Sequence, residues 1–131
     1  MAQLKNLDRI WAAPLGDLAT VGNNRQIMRD EQDGDPIFRC YLHGHEIATI
    51  KPRGSAGTAS VRLDARGHLT ATTVAAMKDF LGAFGVRAGV SRAGGKLSAS
   101  WTLDGERHSR DEGAPGQIGF WADRHPATVT A

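Results

Sequence analysis

Short turn signals built around glycine recur along this chain, and they constrain its fold more than any other feature. They separate short runs in which apolar and polar residues alternate, which is typical of strands joined by hairpins. The signals are Asp33-Gly34, Gly44, Ala65-Arg66-Gly67, Ala93-Gly94-Gly95 and Asp104-Gly105. Sixteen glycines and an aromatic share of 6% fit the same picture. The pattern predicts an antiparallel sheet with a core made mainly of Val, Ile, Leu and Ala.

One segment breaks the alternation and predicts a helix over residues 72–85. Its apolar residues recur at helical spacing and form a single stripe. The stripe consists of Val74, Met77, Leu81 and Phe84. Thr72 or Thr73 is suited to cap the start, and Gly85 is suited to the left-handed position just past the end.

The two ends of the chain are less regular in pattern. Residues 3–20 carry leucines and a tryptophan at helical spacing, interrupted by Pro14, and predict a short helix. The polar residues 22–36 are either a linker or a first strand from Arg25 to Glu31 that turns at Asp33-Gly34. Residues 111–131 are rich in Gly and Pro, and we expect them to be irregular.

These elements predict one α+β domain over residues 1–131. A helical and polar segment over 1–35 leads into an α+β core over 36–110, and an irregular tail follows over 111–131. The core is an antiparallel sheet of about five strands in the order β-β-β-α-β-β, with one helix packed on a face. A short N-terminal helix completes the predicted fold.

Cys40, His43 and His45 form the one cluster of residues with obvious chemical potential. A zinc site needs three or four converging ligands, and no second cysteine exists to supply them. Cys40 lies in an apolar strand pattern and faces away from His43, because side chains alternate along a strand. The two histidines flank Gly44. We therefore interpret the cluster as the tip of a hairpin and expect no metal site.

Positive charge is concentrated in the middle of the sequence. Residues 51–100 carry eight Lys or Arg against two Asp or Glu, whereas the whole chain has a net charge of only +2. Basic side chains on strands and in Gly- and Ser-rich loops are suited to contact phosphate groups. The candidate nucleic-acid-binding residues are Lys51, Arg53, Arg62, Arg66, Arg87, Arg92 and Lys96. The alternative is a solvated sheet face, in which pairs such as Arg62 and Asp64 neutralise each other.

Several enzyme and cofactor classes find no support in the sequence. The glycine-rich stretch 54–60 lacks the Gly-Lys-Ser/Thr ending of a phosphate-binding loop, and residues 30–35 lack the spacing of a calcium-binding loop. We expect a non-enzymatic protein without a cofactor. We also expect neither a signal peptide nor a membrane span, and hence a cytoplasmic location.

Two stretches carry a resemblance to a group of known proteins. The pattern L-x-G-x-x-I-A-x-I spans Leu42 to Ile50, and T-x-T-T begins at Thr70, just before the predicted helix. Over residues 37–102 the chain resembles small bacteriophage and mobile-element proteins. The resemblance implies a phage-type accessory protein that binds nucleic acid or a nucleoprotein complex in the host cytoplasm. It also leaves open an anti-CRISPR-like inhibitor that binds a host defence protein.

Overall fold

The computed structural model describes residues 4, 10, 14–53 and 57–125, within which the chain forms nine strands and one helix. In chain order the elements are β1 (Leu18–Gly22), β2 (Arg25–Gln32), β3 (Asp35–Leu42), β4 (His45–Arg53), β5 (Thr58–Asp64), α1 (Ala71–Ala83), β6 (Ala88–Ala93), β7 (Lys96–Leu103), β8 (Glu106–Asp111) and β9 (Gln117–Asp123). They build a six-stranded antiparallel sheet in the order β1-β2-β3-β4-β5-β9 and a three-stranded antiparallel sheet in the order β6-β7-β8.

This architecture corrects the predicted fold class, because the described chain is mostly β rather than α+β with about five strands. The polar segment 22–36 contains β2 and its hairpin turn, and part of the tail that was predicted to be irregular forms β9. The predicted N-terminal helix falls largely outside the described residues. Its last part was wrong, since β1 begins at Leu18, and both Leu15 and Leu18 are exposed rather than lined up on a buried helix face.

The turns, by contrast, lie where glycine predicted them. Residue pairs such as His43-Gly44 and Asp104-Gly105 both have positive φ angles and close two-residue hairpins. The strands β1 to β5 therefore form a meander. The chain then passes through α1 and the three-stranded sheet before β9 returns to pair with β5. This return brings residues near 60 and near 120 side by side.

One face of the six-stranded sheet, termed the inner face, is apolar and covered. The helix α1 contacts β3, β4 and β6, and β7 contacts β9, so the helix and the three-stranded sheet cover neighbouring parts of that face. The Phe38 and Phe84 rings meet at 4.8 Å between centroids. The predicted stripe of α1 is confirmed as buried, since it supplies the apolar surface that the inner face needs.

The two ends of α1 are held by specific local contacts. The N-cap is Thr70, earlier than predicted, and its hydroxyl accepts a hydrogen bond from the Thr73 backbone N–H at 3.2 Å. Gly85 takes the predicted left-handed conformation after the helix, with φ +66°. In the helix, the Asp79 carboxylate pairs with Arg25 at the start of β2 at 3.2 Å, which ties α1 to the sheet.

Candidate functional site

The face of the six-stranded sheet that points away from α1, termed the outer face, carries polar side chains in rows across the strands. Strand register places Arg62 beside Thr49 on one neighbouring strand and Gly119 on the other. The next row brings together Lys51, Ser60 and Trp121. Side-chain alternation thus delivers predicted basic residues of β4 and β5 to one surface.

Part of this outer face is electrically neutralised. Arg39 pairs with Asp30 at 3.1 Å and with Glu46 at 3.2 Å. The Thr49 hydroxyl also donates to Glu46 at 2.6 Å. A hydrogen bond from the Glu31 backbone N–H, followed in importance by one from Arg39, lowers the pKa of the Asp30 carboxyl. The positive charge of Arg39 is thereby matched within the protein.

Three of the seven predicted basic residues, Lys51, Arg53 and Arg62, are brought together on the outer face. Arg53 pairs with Asp35 at 3.4 Å, and its guanidinium lies 5.0 Å from the ring centroid of Trp121. The pairing of Arg62 with Asp64, which belonged to the alternative interpretation, is not formed. Asp64 instead pairs with Arg66 at 3.7 Å, so this part of the solvated-face interpretation was wrong.

The other four predicted residues lie elsewhere. Arg66, in the turn after β5, also donates to the Glu46 carbonyl oxygen at 2.8 Å. Arg92 donates to the Leu69 carbonyl oxygen at 3.3 Å, Lys96 follows the turn between β6 and β7, and Arg87 precedes β6. The charge concentrated in residues 51–100 is therefore spread over both sheets rather than gathered in one patch.

A groove with a volume of about 680 Å³ lies where β8 meets the free edge of β9, and it is termed the β8–β9 groove. The residues that line it come from both sheets. They are Ser60, Val61, Arg62, Trp101, Leu103, His108, Arg110, Ala114, Gln117, Ile118, Gly119, Phe120 and Trp121. The lining contains two guanidinium groups and an imidazole, and none of these residues is an Asp or Glu.

Aromatic stacking holds the inner wall of the groove in place. The Trp101 ring stacks on Phe120 with 4.7 Å between centroids and on His108 with 5.8 Å. The Arg110 guanidinium lies 5.6 Å from the Trp101 centroid and donates to the Gly119 carbonyl oxygen at 3.1 Å. These contacts fix the direction of the Arg110 side chain, which makes its charge a defined feature of the wall.

Trp121 forms the outer rim of the groove and is unusually accessible for a tryptophan, with 44% of its surface exposed. Sequence reasoning did not select Trp121, because the residues after 111 were predicted to be irregular. It did not select His108 or Arg110, because both lie outside the basic stretch 51–100. A signal was present in the alternation of Ile118, Phe120 and Ala122 with polar or exposed neighbours. The abundant glycine around that run obscured it.

The Cys40 cluster lies apart from the groove. Cys40 is buried, and desolvation raises the pKa of its thiol well above the usual value. His43 and His45 are exposed at the predicted hairpin tip. The His45 ring lies 6.1 Å from that of His68. Within the part of the chain that the structure describes, no three His, Cys, Asp or Glu residues are arranged to hold a metal ion.

Comparison with known protein families, with curated proteins and with solved structures finds no match for this chain. The resemblance to small phage proteins therefore stays a prediction. Across the described ranges, no helix is long and apolar enough to cross a membrane.

Proposed function

We propose that the protein binds nucleic acid through the β8–β9 groove and the adjoining outer face. The observation that carries the proposal is the lining of the groove, which combines Arg62, Arg110 and His108 with an exposed Trp121 and contains no carboxylate. Guanidinium groups bind phosphate, and exposed aromatic rings stack on bases. The phosphates and the bases of a nucleic acid would thus both find their usual protein partners on this one surface.

The pairing of charges favours this surface over the rest of the sheet. Lys51 and Arg62 have no carboxylate partner among the described residues, whereas Arg39 and Arg66 are paired. A cation already matched by a carboxylate gains little from a phosphate, since it must first give up its partner. The unmatched cations Lys51, Arg62 and Arg110 are therefore the expected phosphate contacts.

The test is a titration of the full chain with a fluorescently labelled oligonucleotide at several salt concentrations between ~50 and ~200 mM. If the three unmatched cations each contact a phosphate of a single strand, the logarithm of the association constant should fall against the logarithm of salt with a slope of about −2. Absence of salt-dependent binding at the lowest salt would refute the proposal.

Matched variants sharpen this test. We expect Arg62→Gln and Arg110→Gln each to weaken binding and to make the salt slope shallower by about 0.7. Arg107→Gln is the control, because Arg107 lies on the same strand as Arg110 but, by alternation, on its opposite face, and it does not line the groove. Thermal unfolding of each variant separates lost binding from lost folding.

The biological setting belongs to the same proposal. A nucleic acid or nucleoprotein ligand and a chain with one cysteine fit the cytoplasm of a host cell, where thiols stay reduced. A role as a phage-type accessory protein rests on the resemblance alone. An anti-CRISPR-like interaction with a host defence protein remains the alternative, and capture of a purified defence complex by a protein that fails to bind nucleic acid would favour it.

A further inference from the structure

We infer that the β8–β9 groove selects a single strand and holds one unpaired base against the open edge of β9. The inference rests on the proposed function and adds to it the class of nucleic acid and the groups that recognise it. Three kinds of observation carry it: the direction of the backbone groups of β9, the short length of its open edge, and the charge of the surrounding wall.

The hydrogen bonds between β5 and β9 define which backbone groups of β9 face outward. The Arg124 N–H donates to Gly57 at one end of this pair of strands, and the Ala65 N–H donates to Gly116 at the other. In an antiparallel ladder, hydrogen-bonded residues alternate with residues whose N–H and C=O groups face away. Even-numbered residues of β9 therefore bond to β5, and odd-numbered residues direct their backbone groups toward the free edge.

Half of these outward-facing groups are already used. Gln117 bonds through its N–H and C=O to the loop 113–116, the Gly119 carbonyl accepts from Arg110, and the Asp123 carbonyl accepts from the Arg87 N–H. The Gly119 N–H, both backbone groups of Trp121 and the Asp123 N–H have no partner among the described residues. The open edge is thus Trp121 with one extra donor on each side, and Gly119 and Trp121 line the groove.

This short edge fits a base better than a peptide. An added β-strand needs a row of open donors and acceptors, and among the odd-numbered residues of β9 only Trp121 keeps an open carbonyl. A base presents an adjacent donor and acceptor on its Watson–Crick edge, which matches the N–H and C=O that one extended residue directs to the same side. In a duplex that edge is occupied by the partner base, so a duplex cannot make the contact.

The surroundings complete the site. Arg62 and Arg110 supply positive charge for the phosphates on either side of the base, and exposed Trp121 offers a ring for a neighbouring base. Because backbone groups rather than a specific side chain face the base edge, we expect selection of unpaired bases without strong preference among them. The ligand is thus a single-stranded nucleic acid.

The decisive test compares three oligonucleotides of equal length on the wild-type chain: a single strand, its duplex and an abasic single strand. The abasic strand keeps the phosphates and loses the bases. We expect the normal single strand to bind about tenfold more tightly than the other two, since stacking and edge contacts are both lost. Equal binding of all three would overturn the inference while leaving nucleic-acid binding intact.

A matched pair of variants tests the strand edge itself. Gly119→Pro removes the outward N–H without removing a bond to β5, and proline is tolerated at such an edge position. Gly119→Ala keeps the N–H, and its added Cβ meets ordinary contact distances, the nearest atom lying at 3.7 Å. We expect Gly119→Pro to bind a single strand about threefold to tenfold more weakly than Gly119→Ala. Equal binding by two folded variants would overturn a contact of the base with the Gly119 N–H, the donor of the open edge next to Trp121.

The last comparison measures whether the groove binds an extended acidic peptide instead of an oligonucleotide. If an extended acidic peptide binds the groove and no oligonucleotide does, both this inference and the proposed function fail. If the single strand binds and the peptide does not, the choice of a base over a strand is supported. Thermal unfolding curves confirm that each protein compared is folded.

Discussion

Removing the Asp79 carboxylate tests how the helix is attached to the sheet. Asp79 lies on α1 and Arg25 at the start of β2, and their side chains are only 4% and 11% exposed. The Arg25 Nε–H lies buried without a partner among the described residues. The Arg25 Nη1 donates to the Asn23 carbonyl oxygen at 3.1 Å, and the Asp79 carboxylate at 3.2 Å supplies the opposite charge for a guanidinium that has largely left water.

The expected magnitude follows from this burial. Breaking a buried pair by removing one partner costs about 3–5 kcal/mol, because the remaining charge is left uncompensated. Natural domains have unfolding free energies of only about 5–15 kcal/mol, so Asp79→Ala should remove a large share of the stability. Replacing both partners by apolar residues of similar size, as in Arg25→Met with Asp79→Leu, should restore most of it.

Urea unfolding followed by tryptophan fluorescence measures both effects. With a urea dependence of about 1–3 kcal/mol per M, the midpoint of Asp79→Ala should fall by about 2 M relative to wild type. The double variant should recover most of that loss. A midpoint shift below ~0.5 M for the single variant would show that Arg25 does not depend on Asp79 for its compensation, and the reasoning would be refuted.

Two further predictions concern backbone conformation and the buried thiol. Gly85→Ala should lower the melting temperature, because φ is +66° there and an added Cβ would overlap the carbonyl oxygen of His125. Gly82→Ala, at an exposed and open position within α1, should raise the melting temperature. A change of the same sign in both variants would contradict the role given to the backbone conformation of Gly85. Because burial raises its pKa, the Cys40 thiol should resist a thiol reagent at mildly alkaline pH until urea unfolds the chain. Rapid labelling of the native protein would count against the described packing.

Local sequence patterns correctly predicted those elements of the fold that depend on near neighbours in sequence. The stripe from Val74 to Phe84 identified α1, and paired turn residues such as Asp104-Gly105 identified hairpins, because helical spacing and turn chemistry are local properties. The leucines at 15 and 18 gave a wrong prediction, since their spacing fits a helix but both side chains are exposed. Periodicity alone does not reveal what a face packs against.

The candidate site depended on contacts that a single sequence does not contain. Arg62 was selected from charge, but its neighbours Gly119 and Trp121 lie more than fifty positions away and reach it only through the pairing of β5 with β9. Arg110 meets the same groove from a different sheet. Counting charge over residues 51–100 grouped cations that lie on different surfaces of the folded protein. It also omitted Arg110, which lies outside that range and lines the groove.

The most direct measurement is the affinity of the wild-type chain and of Arg62→Gln with Arg110→Gln for a labelled single-stranded oligonucleotide as salt is varied. We predict binding that weakens with salt along a slope of about −2, and a slope near −0.7 for the double variant because two phosphate contacts are gone. The Arg107→Gln control should follow the wild type more closely than the double variant does. Identical affinities and slopes for the wild type and the double variant would contradict the claim that this groove binds nucleic acid.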